Sequence, residues 1–126
     1  MSTALTWKGT DGGSWTVASN WADSTGATAT QPPGPTDFAQ FISFSGTVTG
    51  SVGTDILYIG PGSALTLGGS GFFSTVTIGA DFNFNIGTAS FAVDSGQVVS
   101  IGSVLSIGAS LGGSGTVVAN GTLAVN

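Results

Sequence analysis

From residue 54 to residue 126 a four-residue strand pattern keeps returning. Ile56-Leu57-Tyr58-Ile59 is followed by Thr75-Val76-Thr77-Ile78, Val98-Val99-Ser100-Ile101 and Thr116-Val117-Val118-Ala119. A second series lies between them: Ala64-Leu65-Thr66-Leu67, Phe82-Asn83-Phe84-Asn85, Val104-Leu105-Ser106-Ile107 and Thr122-Leu123-Ala124-Val125. Aligned on Ile56, Val76, Val98 and Val117, the first series steps by 20, 22 and 19 residues. Aligned on Leu65, Phe84, Leu105 and Leu123, the second steps by 19, 21 and 18. Two rows that drift together at a spacing near twenty, with Gly-rich breaks between strands, are the signature of stacked repeats. Inside each strand apolar and polar residues alternate, so that Leu65 and Leu67 face a core while Thr66 faces water.

The pattern predicts an all-β fold: a short right-handed parallel β-solenoid, or β-helix, with rungs of about twenty residues. Leu65, Val76, Phe84, Val98, Leu105 and Val117 are expected to point inward and to be nearly fully buried. Residues 1–37 differ in composition. They hold all three Trp (Trp7, Trp15, Trp21), the only Lys (Lys8) and three of the four Pro (Pro32, Pro33, Pro35). We read them as an N-terminal cap and loop segment, with the rungs spanning residues 38–126 and the whole forming one structural domain. Terminal repeats are atypical because they cover the open end of a stack. Large indole rings suit that task, with stacking on sugars as the alternative use of the same rings.

Charge excludes several functions. The chain has one Lys, no Arg, no His, six Asp and no Glu, for a net charge of -5. Binding to nucleic acid needs a basic face to displace counterions from phosphates, and none exists here. No apolar run reaches the ~18 residues that a membrane-spanning helix needs, so membrane insertion is not expected. With no Cys there is no disulfide and no thiolate chemistry. Residues 1–8 lack the basic start and apolar stretch of a secretory signal peptide, which leaves any export to another route or to a longer precursor.

The opening of the chain carries a resemblance. Trp7-x-Gly9, Gly12-Gly13-Ser14-Trp15, Ser19-Asn20-Trp21 and Pro35-x-Asp37-x-Ala39 together resemble the start of β-helical modules in bacterial surface and autotransporter-type proteins. Similar openings also stand ahead of Hint-type self-processing domains in acetic-acid bacteria. The resemblance implies an exported structural or adhesive bacterial protein. No translocating barrel or processing domain accompanies it in this sequence.

A search for chemistry finds little. Polysaccharide lyases rely on a base and on cations near the substrate carboxylate, and here only Lys8 is available. Glycosidases need two carboxyl groups about 5–9.5 Å apart. Asp81 and Asp94 are the closest pair along the repeats, and both fall at turns, where Asp bonds nearby backbone. Calcium-binding repeats place an Asp in each Gly-rich turn. Neither 68–71 (Gly-Gly-Ser-Gly) nor 112–115 (Gly-Gly-Ser-Gly) has one, and Asp11 alone makes a poor cation site. No catalytic residue, cofactor or metal is therefore assigned, and the chain is not expected to be an enzyme.

What remains is a structural reading. The expected function is that of a structural protein of a bacterial cell surface or extracellular matrix, assembling head to tail with itself into filaments. An adhesin module that holds extracellular polysaccharide is the alternative, and a polysaccharide-degrading enzyme comes after both. The candidate assembly interface pairs Trp7, Trp15 and Trp21 at one end with Val117, Leu123 and Val125 at the other. The strand pattern runs on through residues 122–125 without a polar cover, and an uncovered strand edge is a template for another chain.

Overall fold

The computed structural model describes residues 3–83, 85–107 and 114–125. Its elements in chain order are β1 (Ala4–Trp7), a 3-10 turn (Ala18–Asn20), β2 (Trp21–Ala22), β3 (Phe38–Phe41), β4 (Ser45–Thr49) and β5 (Val52–Ile59). They continue with β6 (Ala64–Gly68), β7 (Gly71–Ile78), β8 (Thr88–Val93), β9 (Val98–Ile107), β10 (Ser114–Ala119) and β11 (Thr122–Val125). Thr, Val, Ile and Phe dominate these segments, residues whose side chains pack well on a pleated, half-buried surface. There is no α-helix among the described residues.

The strands make two sheets. One has seven strands in the order β11-β9-β7-β5-β3-β1-β2, and the other four in the order β10-β8-β6-β4. All neighbours pair in parallel except β1 and β2, which are antiparallel. From β3 onward successive strands fall alternately in the two sheets. Parallel neighbours need a long crossover connection, and here each crossover contains a strand of the opposite sheet.

This topology corrects the expected right-handed parallel β-solenoid with twenty-residue rungs. The observed arrangement is a mixed seven-stranded sheet and a parallel four-stranded sheet. Their parallel order is of the kind used by α/β proteins, with strands where those proteins place helices. Two physical causes account for the difference. First, the spacing is not constant. Paired positions in the larger sheet run Phe38, Ile56, Thr75, Val104, which are steps of 18, 19 and 29 residues. In the smaller sheet Val48, Leu67, Val93 and Ala119 give steps of 19, 26 and 26. Second, the N-terminal segment supplies sheet strands. β1 joins the larger sheet through Ala4↔Phe38 and Leu5↔Ala39, and β2 returns beside it through Thr6↔Ala22.

The extra residues enter between β7 and β8. Residues 82–85 were expected as a strand, yet Phe82 and Asn83 lie in a turn and Ala80 bridges Ile86 in antiparallel fashion. The buried Asp81 carboxylate organises this loop. It accepts the amides of Asn83 (2.9 Å) and Asn85 (3.0 Å) and the Asn85 side-chain amide (3.0 Å). After the loop the two rows no longer keep to separate sheets. Residues 98–101 and 104–107, expected in different rows, form one strand, β9, with an irregularity opposite Phe73 and Thr75.

The core lies between the sheets. Leu5, Phe41, Leu57, Ile59, Phe73, Val76, Ile78, Val99 and Ile101 from the larger sheet meet Val48, Leu65, Leu67, Phe91 and Val93 from the smaller. Each such side chain contributes about 1.5–3 kcal/mol by leaving water. Leu65 and Val76 are buried as the alternation predicts, while Leu105 and Val117 are only partly buried. Val98 is 49% exposed, because the register turns Val99 and Ile101 inward instead. Phe84 lies outside the described residues. Between β6 and β7 the chain passes so close to β5 that a Cβ at Gly69 or Gly71 would collide with backbone of Gly50 or Val52.

Candidate functional site

The six residues expected at an assembly interface occupy different environments. Trp7, Trp15 and Trp21 are buried in the core. The Trp21 ring stands edge-on to Trp7 (centroids 5.2 Å apart, planes at 83°) and to Trp15 (4.7 Å, 71°), and Phe41 packs against all three. Trp21 donates its indole N–H to the Trp15 carbonyl at 2.9 Å. The indole N–H groups of Trp7 and Trp15 find no acceptor among the described residues. Burial leaves these rings no free face for a second chain or a sugar.

The N-terminal segment instead seals one end of the fold. Residues 11–15 lie along the outer edge of β4. Gly12 and Trp15 donate backbone N–H to the carbonyls of Thr47 (2.7 Å) and Thr49 (2.9 Å). Thr49 donates back to Gly13 at 2.9 Å, and the Asp11 carboxylate accepts the Thr47 amide at 2.7 Å. β2 is covered in turn by the segment after it, with the Ala29 amide on the Trp21 carbonyl at 2.9 Å and a bridge between Ala22 and Thr28.

The opposite end has no such cover among the described residues. β10 and β11 are the last strands of their sheets, each paired on one side only. The second half of β9, residues 104–107, pairs with β7 and has no strand on its other side. Val117 and Leu123 are partly buried against the core, and Val125 is half-exposed. Val104, Ile107 and Val118, which the repeat alignment did not single out, are also half-exposed at this end. The register could have found them: Ile107 stands opposite buried Ile78 at the end of an inward column, whereas Val104 and Val118 stand opposite Thr75 and Ala92 on the outer faces of their sheets.

A second feature lies on the outer face of the larger sheet, over β1, β3 and β5. A groove of about 670 Å³ has Thr6, Phe38, Gln40 and Tyr58 on its floor. Phe82 and Asn83 form one wall and residues 22–26 the other. Thr6, Gln40 and Tyr58 are consecutive partners in the register. Gln40 donates from Nε2 to Thr6 Oγ1 at 2.8 Å and accepts the Phe82 amide on Oε1 at 3.0 Å. The Phe82 ring stands edge-on to Tyr58 (5.1 Å, 79°) and tilted to Phe38 (6.5 Å, 56°). On the other wall the Asp23 carboxyl is held below the ordinary carboxylate range. The causes are hydrogen bonds from the Thr25 hydroxyl (2.6 Å) and the Thr25 and Ala27 amides, with Lys8 adding attraction. Lys8 itself donates to Thr28 Oγ1 at 2.5 Å.

Asp81 and Asp94, the pair weighed for catalysis, lie in separate turns, after β7 and after β8. No group of three His, Cys, Asp or Glu side chains suited to a metal ion occurs among the described residues. No helix among them is long and apolar enough to cross a membrane. No family model, curated protein or solved structure shows significant similarity to the chain.

Proposed function

We propose that this is a structural protein of a bacterial surface or extracellular matrix that assembles with copies of itself through the open edges of β9, β10 and β11. The observation that carries the reading is the asymmetry of the two ends. One end has its strand edges covered by residues 11–15 and 27–29, while at the other both sheets finish, among the described residues, in strands paired on one side. Unpaired strand edges present a row of backbone donors and acceptors to any chain that can lie alongside. The resemblance of the opening to bacterial surface modules and the near absence of cationic side chains fit an extracellular location.

Magnitudes indicate how strong the joint is. Val104, Ile107, Val118 and Val125 are each about half-exposed, so covering them contributes about 1 kcal/mol apiece, half the value of a whole side chain. Each new backbone hydrogen bond adds about 0.5–1.5 kcal/mol net. Association itself costs about 4–15 kcal/mol. The sum describes a joint that forms with rising concentration rather than a permanent one.

The surface offered by the neighbour sets the form of the assembly. Docking on its covered end gives a head-to-tail filament, since such a contact does not close. Docking on its own open edges gives a pair that exchanges backbone bonds from both sides. The covered end has already spent its backbone groups, so the pair is the stronger unit. Light scattering on the parent and on a Val118→Lys/Val125→Lys variant tests this. Both positions are exposed, so the variant keeps its circular dichroism while its assembly is lost. A parent that is monomeric at high concentration, or a variant that assembles as well as the parent, contradicts the proposal.

A further inference from the structure

We infer that the groove over β1, β3 and β5 is a binding site for a neutral saccharide, independent of the assembly edge. The loop after β7 breaks the spacing of the strands. Local departures from a regular pattern mark functional or strained sites, and this departure places Phe82 and Asn83 across the outside of the larger sheet. The loop is held in place from below and from within. Gln40 is buried and bonds the Phe82 amide at 3.0 Å, while the Asp81 carboxylate accepts three hydrogen bonds from Asn83 and Asn85. A wall fixed in this way is a preorganised surface, which lowers the cost of binding.

The chemistry of the surface selects the ligand class. Many outward strand positions carry Thr or Ser, and the apolar ones elsewhere (Phe72, Val98, Val104, Val118) take part in no aromatic pair among the described residues, but here Phe38 and Tyr58 stand together with Phe82 against them. Aromatic side chains next to amide and hydroxyl groups suit a ligand with an apolar face and polar edges. A pyranose ring has that character: one face of C–H bonds and a rim of hydroxyls. The exposed Asn83 amide, the Tyr58 hydroxyl and the Asp23 carboxylate are placed around the rings to meet such a rim. The volume of about 670 Å³ lies within the roughly 300–1,000 Å³ of small-ligand sites.

Charge and topology exclude the main rivals. Among the described residues Asp23 is the only charged side chain lining the groove, and Lys8, the one cationic side chain of the protein, already engages Thr28. A polyanionic glycan would therefore be repelled. An extended peptide would need a free strand edge for backbone pairing, and β1, β3 and β5 are each paired on both sides.

Calorimetry and NMR with the neutral hexamers of β-1,4-linked glucose and N-acetylglucosamine, and with a galacturonate oligomer as the acidic probe, test the inference. At least one neutral hexamer should bind, with shifts centred on Phe38, Tyr58 and Phe82. The acidic oligomer should not. Tyr58→Ala should weaken binding by about ten-fold or more, as expected of an aromatic anchor. Because Tyr58 also packs on Phe82, Asn83→Ala serves as the second variant. It removes an exposed amide, keeps the fold and should weaken binding measurably. Failure of both neutral hexamers to bind at millimolar concentration, preference for the acidic oligomer, or binding indifferent to both variants would overturn the inference. None of these outcomes bears on assembly, which uses the other end of the fold.

Discussion

Replacing Trp21 by Ala should be among the most damaging single changes in this protein. The side chain is fully buried and packs against Trp7, Trp15 and Phe41 at centroid distances of 5.2, 4.7 and 5.6 Å. Truncating a buried Trp costs about 3–5 kcal/mol from lost transfer energy and the cavity left behind. Three edge-on or near edge-on ring pairs, each worth about 0.5–1.5 kcal/mol beyond area, push the value to the top of that range. The Trp15 carbonyl also loses its donor. A loss of about 5 kcal/mol is a large part of the ~5–15 kcal/mol that holds a typical domain together. Trp21→Phe keeps one ring but removes the rest of the indole together with its N–H, so it should cost less, about 1–3 kcal/mol. Urea unfolding followed by far-ultraviolet circular dichroism measures both. If Trp21→Ala lies within about 1 kcal/mol of the parent, a shift common for surface changes, the N-terminal segment is not part of the core and the packing described above is wrong.

Other outcomes follow from the same geometry. Asp81→Ala leaves the Asn83 and Asn85 amides without their acceptor, so urea unfolding should show a loss of about 1–3 kcal/mol, while Asp81→Asn, which keeps one acceptor oxygen, should lose less. The Asp23 carboxyl has a pKa below its unfolded value. Its contribution is therefore present above the unfolded pKa and lost as pH falls through the folded one. Carboxyl NMR should show Asp23 titrating below ordinary aspartates, with the Thr25 and Ala27 amides shifting in step. A midpoint at or above the ordinary aspartate value would contradict the hydrogen bonding at this turn.

The alternation within strands was legible from sequence alone. Leu65 and Leu67 face the core and Thr66 does not, because a period of two fixes the face of every side chain once one is known. Strand order was less legible, and Phe82-Asn83-Phe84-Asn85 shows why. That stretch alternates apolar and polar like a strand, yet Asp81 captures the amides of Asn83 and Asn85 and turns the chain into a loop. Local bonding by one Asp side chain outweighs the pattern. In β9 the register sets Val99 opposite Gly71 and Ile101 opposite buried Phe73, so Val98 is exposed where Val99 is buried, a shift of one residue that reverses the face. The burial of Trp7, Trp15 and Trp21 depends on Phe41 and Phe73, far along the chain. The groove was missed for a similar reason, since Thr6, Gln40 and Tyr58 meet only through the register. The available clue was the presence of Phe38 and Tyr58 at strand positions facing away from the core.

Amide hydrogen exchange as a function of protein concentration tests the assembly edge most directly. The outward-facing amides of β10, β11 and residues 104–107 have no strand partner among the described residues, whereas the edge of β4 is already bonded to residues 11–15. Protection should therefore rise with concentration at β9, β10 and β11 and stay constant at β4. Exchange that is independent of concentration at all four strands, or protection that grows first at β4, would contradict assembly through this edge.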